Sequence, residues 1–203
     1  MSVAYLPLAS FSFAGSITPG PNNLMLAASG ANFGWRRTLP HLMGVVLGFM
    51  FMLTVVSAGL GAVIREMPTL HDILRVAGGA YLLYLAYRIA TAAPAKSDGR
   101  GKPLTFLEAS LFQWLNPKAW AMALTMPASF MAPDPAGGTL DLAVDVGMML
   151  AIHGPISLAC VATWTLFGIA IGRFLAEGNR RLWFNRAMAA LLVVTVYWIV
   201  APG

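Results

Sequence analysis

The chain has 203 residues, 58% of them hydrophobic and only 10% charged, and its mean hydropathy of +0.71 excludes an ordinary soluble domain. No formal charge lies between Arg37 and Arg65 or between Asp145 and Arg173, so uncharged stretches exceed the roughly 20 residues of a spanning helix, and an all-α integral membrane protein is expected. The net charge of +5 does not point to nucleic acid, because the basic residues fall in short connections between apolar runs.

Apolar runs, charges and Gly/Pro punctuation predict six transmembrane helices, near 5–31, 40–64, 70–92, 105–131, 141–171 and 183–201. The N-terminus has no basic region and no small-residue cleavage site, so no removable signal peptide is expected. The chain reads as a single membrane transport domain over 1–203, with halves 1–92 and 105–203 joined by a loop at 93–104.

The first segment is interrupted by Pro19, Gly20 and Pro21, followed by Asn22 and Asn23. Two prolines flanking a glycine remove backbone donors and clash with the preceding turn, so the helix breaks and frees amides and carbonyls. In hydrocarbon such groups are tolerated only against protein or a wet cavity, and the half-helix starting near Pro21 offers its N-terminus to a carboxylate. The bland alternative is a kink satisfied by neighbouring helices. The second segment carries Gly44 and Gly48, a small-xxx-small pair for close packing, either within one subunit or across a homodimer. His41 and His71 are expected at the interfaces. The third segment, held between Arg75 and Arg88, is the shortest uncharged run and relies on snorkelling at both ends.

The fourth segment contains Asn116, Pro117 and Lys118, and Lys118 is the only formal charge in the 25 residues between Glu108 and Asp134. An ammonium near a bilayer centre costs about 2.5–3.5 kcal/mol, so it is expected to face a wet cavity or a partner, where it can hold an anionic group. The alternative is a shallow helix end whose lysine snorkels to the headgroups. Gln113, one turn upstream, either helps this site or caps a helix. In the fifth segment His153, Gly154 and Pro155 place an imidazole beside an expected proline distortion, as a proton carrier or, more commonly, as an interhelical hydrogen-bonding group. Asp141 and Asp145 share a face at that helix's outer end, where they either attract cations or protons or, more commonly, mark the interface, and Cys160 reads as a small buried hydrophobe.

Ten of the thirteen basic residues fall on one side, in the first loop and in the connections after the third and fifth segments. The positive-inside rule makes that side cytoplasmic and places both termini outside the cytoplasm. Three spans per half force the second half to start from the opposite face, so a duplication would be a 3+3 inverted repeat with broken first and fourth helices. Pro21 with Asn22 and Pro117 with Lys118 sit at similar depths and fit that pattern. No zincin, nucleophile-elbow, P-loop or Rossmann signature is present, and no cofactor is called for. A membrane-embedded enzyme or assembly factor using the same polar cavity, and a passive channel, remain the alternatives to a carrier.

On residues 18–23, the stretch Gly34, Trp35, Arg36, Arg37 leading to Gly44 and Gly48, and residues 116–118, the chain resembles the LysE/RhtB family of amino-acid exporters over nearly its whole length. The doubled asparagine is similar to the cysteine/O-acetylserine exporter branch. The resemblance implies a bacterial inner-membrane carrier, embedded in lipid, exporting a small-molecule substrate, an amino acid or derivative, by proton antiport. Pro19, Gly20, Pro21, Asn22, Asn23, Asn116, Pro117 and Lys118 are then the candidate substrate-binding residues, with His153 as a candidate coupling group.

Overall fold

Every element in the computed structural model, which describes residues 5–62, 67–91, 102–131, 139–175 and 179–200, is helical. Helix α1 (Tyr5–Ile17) ends at the expected proline break, and α2 (Pro21–Val55) begins with Pro21 in its first turn, where a missing N–H is harmless. Helix α3 spans Pro68–Ala90. Helix α4 (Phe106–Phe112) opens on a capping box between Thr105 and Glu108 and tightens into a 3-10 turn, Gln113–Leu115. Asn116 then caps α5 (Pro117–Phe130), its side chain accepting from the Lys118 amide. Helices α6 (Thr139–Phe174) and α7 (Arg180–Val200) complete the described chain.

Two expectations change here. The loop expected between the first two segments is not a loop: residues 35–55 continue α2 after a single non-helical residue, Gly34, at φ +74°. The chain folds back at that glycine, because the Ser29 and Thr38 hydroxyls meet at 3.0 Å although nine residues of straight helix would set them about 13 Å apart. The distortion expected at Pro155 does not interrupt α6, which runs through it for 36 residues. Among the described residues, two helical stretches are long and apolar enough to cross a membrane by length and composition, residues 21–60, which the fold-back at Gly34 divides, and residues 142–172. The broken pairs α1 with the start of α2, and α4 with α5, reach that length only together, since 13-residue α1 is about 20 Å long. The interfacial expectation for His71, and that for Asp141, fall on side chains outside the described residues, as does most of the 93–104 loop.

The principal contact is α2 against α6, followed by α3 against α7, α1 against α6 and α2 against α4. Glycines make the close approaches. A Cβ on Gly168 or Gly172 would strike the backbone of Ala27 or Ala31, and one on Gly30 would strike the carbonyl of Thr165, so α2 and α6 touch backbone to backbone. Gly44 and Gly48 lie against Phe106, Ala109 and Ser110, and therefore pack α2 on α4 within one chain. Two apolar clusters fill the interior, one around Leu26, Leu42 and Phe112 and one around Leu53, Met126 and Met149.

Candidate functional site

The two proline breaks face each other. Lys118, in the first turn of α5, extends its side chain over Gly20, and its Nζ donates to the Thr18 carbonyl at 2.9 Å and the Thr18 hydroxyl at 2.8 Å. Asn22, in the first turn of α2, reaches the other way: its Nδ2 donates to Gln113 Oε1 at 2.8 Å, and Gln113 Nε2 returns a bond to Asn22 Oδ1 at 3.3 Å. The residue after each helix-opening proline thus grips a residue three or four positions before the other proline. Gln113 is fully buried and also donates to the Ala109 carbonyl, so its amide group is doubly fixed.

A broken helix leaves carbonyls without partners, and these are satisfied individually. Asn23 Nδ2 donates to the carbonyls of Ser16 and Thr18 at 2.8 and 2.9 Å. The Trp164 indole of α6 donates to the Ile17 carbonyl at 2.9 Å, and the Trp120 indole does the same for Trp114 at the second break. Each carbonyl left bare at such depth would cost about 1–3 kcal/mol, so both interruptions are built into the packing.

Between the breaks lies a cavity of about 50 Å³. Its wall includes Gly20, Pro21, Asn22, Asn23, Asn116, Lys118 and His153; Pro19 and Pro117 shape the breaks but do not line it. At roughly 10–15 Å³ per water it has room for a few waters. The wall also carries Ser16, Phe49, Met122 and Ser157, which sequence reasoning did not single out. Ser157 was detectable, since it stands at i+4 from His153 and so shares its face. Thr18 was detectable only as the polar residue directly preceding the break. His153 is buried with its ring against Phe49 at 4.8 Å, and its Nδ1 has no hydrogen-bond partner among the described residues.

The expectation for His41 is overturned. It is not interfacial but 1% exposed, because the fold-back at Gly34 turns this face of α2 inward, and neither ring nitrogen has a hydrogen-bond partner among the described residues. It lines a second cavity of about 380 Å³ between α2, the end of α3 and residues 102–104.

The family model described as "LysE type translocator" matches residues 13–199. Similar proteins include the "Cysteine/O-acetylserine efflux protein" of Escherichia coli (strain K12) and those of Shigella sonnei (strain Ss046) and Shigella flexneri. Each is 32% identical over 180 residues, covering 88% of this chain and 88% of the relative. No solved structure matches the chain. A family match that includes both proline breaks, together with relatives aligned along most of their length, shows that the chain belongs to the LysE family of membrane translocators.

Proposed function

We propose that the protein is a secondary transporter exporting an amino acid or close derivative across a bacterial inner membrane by proton antiport. The observation carrying this reading is the Lys118 ammonium of the second break bonded to Thr18 at the first, beside a polar cavity and between two half-helix N-termini. Such termini attract a carboxylate, and an ammonium shared with a carbonyl and a hydroxyl can exchange those partners for one. Asn22, Asn23 and Asn116 are the groups for the substrate's ammonium or side chain, and His153 is the candidate coupling group. The names of the relatives favour cysteine or O-acetylserine as cargo.

Six spans in a 3+3 inverted repeat fit the packing. Exchanging the halves maps α1 with the start of α2 onto α4 with α5, the rest of α2 onto α6, and α3 onto α7. Under that exchange the pairing of α1 with α6 becomes that of α4 with α2, and both are principal contacts. Rocking of one half on the other would expose the central cavity alternately, with both termini outside the cytoplasm. An enzyme would alter its substrate without moving it.

The test is export from cells and counterflow in liposomes by Lys118→Ala. A protein inserted at native levels should lose at least tenfold in rate, the scale of one lost charge-assisted contact. Undiminished efflux would remove the lysine from the mechanism.

A further inference from the structure

The second cavity lies outside the machinery described above. It begins on the same half-helix that lines the first: Asn22 and Asn23 face the central cavity, while Met25, Ser29 and Asn32 face this one, and Asn23 to Ser29 is about 9 Å along the axis. Its volume of about 380 Å³ falls within the range of small-molecule sites.

Its wall is chemically two-ended. Arg88 and Lys102 bring two cations, and no aspartate or glutamate is among the described residues lining it. Arg88 is pre-oriented: one guanidinium nitrogen donates to the Lys102 carbonyl at 3.3 Å and the group lies 5.8 Å from the Tyr84 ring, leaving further N–H groups of the fork to bind an anion. His41, buried and with no hydrogen-bond partner at either nitrogen among the described residues, adds a donor and an acceptor at the inner wall. The opposite character comes from the end of α3, where Ile89 and Thr91 line the cavity. The carbonyls of a last helical turn lack intrahelical partners, and among the described residues the Thr91 hydroxyl is spent on the Tyr87 carbonyl and its amide on those of Tyr87 and Ile89.

We infer that this cavity is an intake site for a zwitterionic amino acid, its carboxylate held by Arg88 and Lys102 with His41 as the inner hydrogen-bonding group, and its ammonium held at the carbonyl-bearing end of α3. The site lies on the basic-residue face, so the solute would bind here before moving along α2 to the central cavity. This rests on the export reading, and the experiment separates the two.

Thr91→Cys in a Cys160→Ala background gives one thiol at the rim, whose reaction with a maleimide is followed in purified protein with and without L-serine or O-acetyl-L-serine. Either solute should slow labelling at least threefold. The protection should persist when Lys118→Ala has abolished transport, and should disappear with Arg88→Gln or His41→Ala. Labelling that the solutes do not slow, in protein competent for counterflow, overturns the intake site. Protection lost with Lys118→Ala overturns it too, because the shielding would then be a conformational echo of the central cavity. Protection without counterflow would leave the site standing and bring down the export reading; the absence of both would bring down the two together.

Discussion

Lys118 shows how a single residue can be legible before its surroundings are. Its isolation between Glu108 and Asp134 marked it from sequence, because an ammonium in hydrocarbon demands a partner. The identity of that partner was not legible: Thr18 lies 100 residues away, and nothing local distinguishes its hydroxyl from those of other threonines. His41 failed for the complementary reason. It was expected at an interface, and only the fold-back at Gly34 turns it inward. His153 was placed correctly in an apolar run, but its seat on the cavity wall came from packing against Phe49. If its imidazole carries the coupling proton, export by the native protein should rise as the outer medium is acidified. In His153→Gln that dependence should flatten while substrate binding survives; an unchanged profile would leave the residue as packing alone.

At the scale of elements, proline punctuation located both interruptions because its effect is local: a lost donor and a ring clash act within one turn. Pro155 shows the limit of that logic. A single proline can be tolerated inside a helix whose neighbours re-satisfy the freed groups, and α6 continues through it with its small residues pressed on α2. That seam gives a stability prediction. In Gly168→Leu the new side chain must occupy space held by the Ala27 backbone, which has no rotamer by which to yield. The loss should be about 3 kcal/mol or more, read as a lower melting temperature and poor recovery of folded protein. Gly147→Leu, on the same helix with nothing within 4 Å of its Cβ, should fold normally. Gly44 and Gly48 were legible as a packing pair, but that they face α4 of the same chain required the tertiary contacts.

For the whole molecule, a second amide pair joins α2 to α7 away from the central cavity: Asn32 Nδ2 donates to Asn185 Oδ1 at 2.8 Å, and Asn185 Nδ2 returns a bond at 3.2 Å. If α2 and α7 separate there during transport, a disulfide between Asn32→Cys and Asn185→Cys should stop counterflow and reduction should restore it. Exchange through the cross-linked molecule would mean that this seam does not open. The central cavity has one more consequence, which concerns the valence of what passes through it. The ammonium and both helix starts present positive ends, and no acidic residue stands on that wall among the described residues to balance them. Cargo bearing a second cationic group would meet repulsion with no compensating anion. Arginine in large excess should therefore leave counterflow of a neutral amino acid undisturbed, and effective competition by it would show that the field inside is not what these groups imply.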